Sequence, residues 1–161
     1  MVQNSVSPGA NVASSLIPTA ATISQLLQND NKVKVAGIDC DGILRGKVMS
    51  KDKFLASVEK GFGMSSAIFG WDMHDQLYTT NTSSTQPGYA DFTAIPDLRS
   101  FRRIAWEDDI PFFLLHFVVN EEPMYADGRS MLRSLSSKLE ASGWRSLAGG
   151  ETDENALHRR G

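Results

Sequence analysis

Residues 111–119, Pro-Phe-Phe-Leu-Leu-His-Phe-Val-Val, constrain the fold more than any other part of this 161-residue chain. The run does not alternate between polar and apolar, it is strand-length, and it is rich in aromatic and branched side chains. It therefore reads as a strand buried on both faces. Such a strand needs neighbours beside it and cover above and below. It is also the longest apolar stretch, too short to cross a membrane as a helix. His116, inside it, reads as a core histidine with its hydrogen bonds satisfied; a ligand role is the alternative.

A hairpin is the second feature. In KVKVAGIDCDGILRGKVMS (32–50), Val33 and Val35 alternate with Lys34, as in a half-buried strand. Asp41-Gly42 suggests a type I′ turn, in which both central residues take positive φ. After it, Leu44, Gly46 and Val48 share one strand face while Ile43, Arg45 and Lys47 share the other. Ser50 then caps a helix with Phe54, Leu55 and Val58 on one side and Gly61 as C-cap. Hairpin followed by helix opens a β-grasp-like α+β unit, although other small α+β folds share that order.

Elsewhere the pattern is uneven. Residues 1–20 are rich in Ser, Ala, Asn and Pro and read as a mobile tail. A short helix follows, with Thr22 as N-cap, Ile23, Leu26 and Leu27 inside, and an end near Asn29 and Asp30. From Phe62 to Pro96 no period holds, which marks a functional or a disordered segment, and Phe69, Trp71, Tyr78, Tyr89 and Phe92 argue against full disorder. SFRRIAWE (100–107) alternates, with Phe101, Ile104 and Trp106 as its apolar members. The clearest helix runs from an Asp127 N-cap to a Gly143 C-cap, and its stripe of Met131, Leu132, Leu135 and Leu139 reads as core. WRSLAGGE (144–151) suggests a closing strand.

Composition narrows the function. The chain is 41% hydrophobic and 22% charged, with a net charge of −3, so it lacks the basic field a nucleic-acid binder needs. Its one cysteine, Cys40, excludes an internal disulfide and a cysteine-based zinc site, and reads as a small core residue. With no secretory signal pattern, this points to a cytoplasmic protein.

Three polar clusters could carry chemistry. Asp72, His74 and Asp75 place two carboxylates and an imidazole together in GWDMHDQ; a plain polar loop is the alternative. Arg45 and Lys47 could hold an anion or be a solvated sheet face. Glu151, Asp153 and Glu154 could bind a hard divalent cation, or be an acidic terminus.

Four segments in order, GIDCDGILRGKVMSKDKF, GFGMSSAIFGWD, GYADFTAIPDLRSFRRIAWE and ADGRSMLRSLSSKLEASGWRSLAGGE, resemble the N-terminal part of glutamine synthetase family enzymes, including the γ-glutamyl ligase branch and the fungal glutamine-synthetase-like proteins. The shared pieces are a D-x-x-G-x-x-R-G-K hairpin, a Gly-rich Ser-Ser loop, a D-x-x-x-x-P-D stretch and a helix leading to G-x-E. The resemblance implies an α+β, β-grasp domain. It divides the chain into a disordered tail (1–20), the β-grasp domain with its N-terminal helix (21–120), a linker helix with the first strand of a catalytic domain (121–151) and a non-family tail (152–161).

For function, the resemblance implies ligation of ammonia or an amine to the γ-carboxyl of glutamate, as in glutamine biosynthesis, with ATP and Mg²⁺ or Mn²⁺ as cofactors. It implies a homo-oligomeric ring in which this domain's loop faces a neighbour's active site. Ser65, Ser66 and Trp71 would then belong to a binding loop, Asp72 would be catalytic, and Glu151 would be a metal ligand. Departures accompany the match. Gly63 stands where the ammonia-using branch has an Asp that helps form the ammonium site. The helix opens Asp127-Gly128-Arg129 without the family's proline. After Glu151, Asp153 replaces the second Glu of a metal-binding Glu-x-Glu and no apolar strand follows, so the chain reads as a truncated or mis-spliced product, inactive alone. The other expectation is a non-catalytic β-grasp module that assembles with or regulates a full-length synthetase.

Overall fold

The computed structural model describes residues 17–78 and 87–149. Most of the expected N-terminal tail, the tail over 152–161, and Glu151, Asp153 and Glu154 lie outside the described residues.

A short helix α1 (Ile23–Leu26) leads into the hairpin β1 (Lys32–Ile38) and β2 (Leu44–Ser50), followed by helix α2 (Lys51–Ser57). Strand β3 (Phe62–Ser65) runs into a 3₁₀ turn at Ser66–Phe69; a second lies at Pro87–Tyr89. Long strands β4 (Asp91–Ile104) and β5 (Ile110–Val119), a short β6 (Glu122–Pro123) and helix α3 (Gly128–Ala141) complete the order. The sheet runs β2-β1-β5-β4-β3, with β6 paired to β5. β1 and β5 are parallel and the other pairings antiparallel. This is an α+β domain of β-grasp type, with the apolar strand β5 at its centre as its sequence demands.

Both faces of β5 are buried, each in its own cluster. One face joins Phe113, Leu115 and Phe117 to Val33 and Val35 of β1, to Phe54 and Val58 around α2, and to Ile23 and Leu27 around α1. Phe113 stacks on Phe54 with centroids 4.7 Å apart. The other face joins Phe112 and Leu114 to Ala36, Ile104 and Ile110. Beside that smaller cluster, Leu44, Val48 and Trp106 border an open cavity of about 500 Å³.

Local chemistry sets the element ends. Ser50 is extended, and its hydroxyl accepts from the Lys53 amide at 3.4 Å, capping α2. Asp127 caps α3 by accepting from the Arg129 amide at 3.2 Å. At the other end of α3, Trp144 N donates to Leu139 O and Gly143 N to Glu140 O, the paired bonds of a Schellman motif, with Gly143 at φ +84.

Several expectations are corrected. The β1–β2 turn is a three-residue loop: Gly42 N donates to Asp39 O, Asp39 N to Ile43 O, and only Gly42 (φ +82) takes positive φ, not Asp41. The Asp39 carboxylate selects this form by accepting from the amides of Asp41 (2.9 Å) and Ile43 (2.8 Å). Cys40 therefore sits exposed in a loop, not in the core. Thr22 makes no side-chain cap on α1, and the helix ends at Leu26. The uneven stretch 62–96 contains β3, a 3₁₀ turn and the start of β4. β4 ends at Ile104, leaving Trp106 85% exposed. The stripe on α3 is exposed rather than core, Leu132 at 66%, and Ser130 is the helix's buried residue. Residues 144–149 form no strand, and Trp144 is 70% exposed.

Candidate functional site

The loop after β3 is built by short-range bonds. The Ser65 hydroxyl accepts from the Ala67 amide (3.3 Å) and donates to Tyr89 O (3.2 Å), starting the 3₁₀ turn. Ser66 is fully buried there, and its amide donates to Ala90 O at 3.3 Å. Ile68 and Phe69 anchor the turn in the core. Trp71 then bridges to Leu77, and Tyr78 N donates to Gly70 O at 2.8 Å, so residues 70–78 form a closed small hairpin.

Asp72 organises that hairpin. Its Oδ1 accepts from the amides of His74 (2.8 Å) and Gln76 (2.9 Å), and Asp75, at the tip, takes φ +62. The amide bonds from Gln76 and His74, aided by the charges of His74 and Arg45, hold the Asp72 carboxyl below the usual carboxylate range. Asp72 is therefore an anion at neutral pH, able to hold a cation, and the same bonds make it a weak base.

Arg45 reaches this loop from β2. Its Nε donates to Asp39 Oδ2 (2.8 Å), Nη2 to Asp72 O (3.0 Å) and Nη1 to Asp75 Oδ1, while the guanidinium lies 5.5 Å from the Trp71 ring centroid. Lys47, two residues on, puts its Nζ 4.6 Å from the Phe62 ring centroid. The two cations thus engage protein groups of this chain. Of Asp72, His74 and Asp75, Asp75 binds Arg45 by its carboxylate and Asp72 by its carbonyl, and His74 reaches Asp72 through its amide. The sequence reading missed Asp39 as the second carboxylate on Arg45; an Asp and an Arg flanking one hairpin turn was the available signal.

Gly63 pairs with Thr93, and a Cβ there would meet Asp91 Oδ2, the far end of an exposed side chain that would have to swing aside. Among the described residues no three His, Cys, Asp or Glu side chains converge as a metal site, so they do not fit a divalent cation. The Cys40 thiol is pushed up by partial burial and by Asp39 and Asp41, which disfavours the thiolate.

A second polar group lies beneath α3. Asp97 accepts from Arg129 Nη2 at 2.6 Å and from Arg99 Nε at 3.2 Å. His116 is nearby, and contrary to expectation its buried Nδ1 has no partner among the described residues, nor has Arg129 Nε. Burial, with the charge of Arg133 and a smaller share from Arg129, pushes the His116 pKa below 6.5 against the pull of Asp127 and Asp97. The unfolded chain then binds the proton more readily than the folded one. Stability is therefore full above pH about 6.5 and falls as the pH drops toward the folded-state pKa. A His116→Gln variant should show a smaller loss of Tm between pH 7.5 and 5.5 than the parent; an equal loss would assign the acid sensitivity elsewhere.

The geometry defines a β-grasp domain presenting an ordered acidic loop on one edge. No family model matches the sequence. The chain is 47% identical over 108 residues to Type-1 glutamine synthetase 2 of Dictyostelium discoideum, covering 66% of this chain and 21% of that protein. It is 29% identical over 123 residues to glutamate–isopropylamine ligase of Pseudomonas sp., covering 74% and 27%. Two solved structures share the fold. The GmaS/ADP complex has a TM-score of 0.61 and 17% identity, over 88% of this chain and 36% of that one. A novel glutamine synthase homolog has a TM-score of 0.58 and 21% identity, over 70% and 27%. The chain belongs to the glutamine synthetase family and carries its N-terminal domain. It spans about a fifth to a quarter of the length of the relatives it matches.

Proposed function

We propose that this chain is the N-terminal domain of a carboxylate–amine ligase that joins ammonia or an amine to the γ-carboxyl of glutamate at the expense of ATP. Its loop from Phe62 to Asp75 faces the pocket of a neighbouring subunit in a ring. The observation that carries this reading is the close sequence relation to a glutamine synthetase, 47% identical over 108 residues. The anchored hairpin around Asp72 supports it, because an anionic carboxylate on a rigid loop suits holding a protonated amine in place. Ser65, Ser66 and Trp71 shape that loop, and Trp71 is its half-buried aromatic wall. ATP chemistry needs divalent cations to offset phosphate charge and a dry pocket to protect an acyl phosphate. The described residues supply neither, so the domain alone is expected to be inactive.

A chimera tests this. Residues 21–127 of this chain would replace the matching segment of the Dictyostelium relative. Glutamate- and ATP-dependent product formation should persist, and Asp72→Asn should cut kcat/KM for the amine on the order of a hundredfold. A folded but inactive chimera would refute the ligase reading; an active one indifferent to Asp72→Asn would remove Asp72 from the site.

The exposed apolar stripe of α3 and Trp106 favour a second use, as a non-catalytic module that assembles with a full-length relative. Co-elution of the unaltered chain with that relative would support it, and separate elution at high concentration would dismiss it.

A further inference from the structure

The Arg-Gly-Lys stretch of β2 has no part in the proposed reaction, yet its two cations reach from one edge of the sheet to the candidate loop and to the strand that leads into it. β2 and β3 are opposite edges of the sheet, with β1, β5 and β4 between them. In a flat sheet the edges would stand about 19 Å apart, four spacings of about 4.8 Å. A lysine on one edge could not then cover a phenylalanine on the other. Lys47 Nζ nevertheless lies 4.6 Å from the Phe62 centroid, so the sheet is curled and its edges meet over the large cluster. Arg45 extends the same closure beyond β3. It binds Asp75, the Asp72 carbonyl and the Trp71 face on the loop, and Asp39 on the hairpin. Asp39 is fully buried as a side chain and also fixes the hairpin amides, whereas Asp75 is 72% exposed. The anchored end of this chain of bonds is therefore the hairpin, and the end it restrains is the loop.

We propose that Arg45 and Lys47 form a clasp across the two edges of the curled sheet, and that Arg45 is the positioning residue for Asp72. The clasp rests on contacts within this chain; the role for Asp72 rests on the ligase reading. Arg45 is suited to the task where lysine is not, because its planar fork serves Asp39, Asp75 and a carbonyl at once while its face lies on Trp71. Without it, the hairpin 70–78 keeps its internal bonds, the packing of Trp71 and the bond from the Tyr78 hydroxyl to Asp41 at 3.4 Å, but loses its charged tether to β2 and Asp39. Asp72 then samples a wider set of positions. A charge misplaced by an ångström loses much of its use at a reacting centre.

Amide hydrogen exchange on the full chain tests the clasp. Arg45→Met keeps the apolar stem and removes the fork. The amides of His74, Gln76 and Tyr78 should exchange faster by about tenfold or more, while those of β1 and β5 keep their rates. Arg45→Lys should restore only part of the protection. Unchanged loop exchange in Arg45→Met would overturn the clasp. Should that variant lose protection in β5 as well, Asp75→Asn, which alters only the exposed partner, decides: faster loop exchange supports the clasp and unchanged exchange overturns it. In the chimera, Arg45→Met should raise KM for the amine on the order of tenfold with KM for glutamate unchanged. Faster exchange without that split would remove the positioning role and leave the ligase reading intact. An inactive chimera would sink the ligase reading while the exchange rates still judge the clasp.

Discussion

Phe117→Ala should lower the unfolding free energy by about 3–5 kcal/mol, the usual range for emptying a fully buried aromatic site. Domains of this size are stable by only about 5–15 kcal/mol, so a large part of the margin would go. The site cannot collapse to soften the loss. Phe117 meets the edge of Phe69 with centroids 5.2 Å apart and planes at 87°, and it fills a hollow opened by Gly37, where a Cβ would collide with its ring. The Phe69 contact carries the effect into the candidate site, because Phe69 ends the 3₁₀ turn that delivers Trp71 and Asp72. The expected result is a Tm drop on the order of 10 °C or more, with a change in near-ultraviolet tryptophan signal at temperatures where the far-ultraviolet signal persists. Phe117→Leu, which keeps most of the volume, should lose far less. A Tm unchanged by Phe117→Ala would mean that the turn and sheet are not packed as described.

That dependence of the loop on a distant strand explains what could be read from the sequence. β1, β2, α2, β5 and α3 each carry a period or a cap in a few consecutive residues: Val33 and Val35 flanking Lys34, Ser50 before a helix, an apolar run broken only by His116, and Asp127 with Gly143 at the two ends of α3. Strand β3 carries none. Phe62-Gly63-Met64-Ser65 is glycine-broken and only partly buried, and it becomes a strand because β4 offers it a register. β4 defeats a period-two reading for another reason. Its register shifts between Asp97 and Arg102, so Ala94 and Ile104, which a regular strand would put on one face, belong to different clusters.

Amphipathic stripes and turns show a second limit. Met131, Leu135 and Leu139 recur at helical spacing, and the helix forms as expected, but spacing reports a face that can be buried, not what buries it. Asp41-Gly42 likewise announced a turn without its length, which the Asp39 carboxylate decides. The candidate site was legible only in parts. Asp72, His74 and Asp75 stand together in sequence, whereas Arg45 lies 30 residues from Asp75 and meets it only because the sheet curls. The family match supplied the loop's interest; the fold supplied its tether.

Asp127→Ala should cost about 2–4 kcal/mol, a large effect for one small side chain. Asp127 is fully buried, and three donors converge on its carboxylate: the Arg129 amide at 3.2 Å, the Ser130 hydroxyl at 2.6 Å and the Phe117 amide at 3.3 Å. Losing the helix cap alone costs about 1 kcal/mol. The remainder comes from Phe117 N–H, which belongs to the central strand and would be left buried with no acceptor, a penalty of about 1–3 kcal/mol. Asp127→Asn keeps an acceptor for the cap and should recover much of the loss. The two variants separate a cap from a strand anchor. If Asp127 only caps α3, Asp127→Ala would fray the helix and spare β5. If it also anchors the strand, exchange at the Phe117 amide would rise together with that of the first turn of α3. We expect the second result, because α3 buries little apolar surface of its own, and Asp127 with the Arg129–Asp97 pair supplies most of what holds it to the sheet.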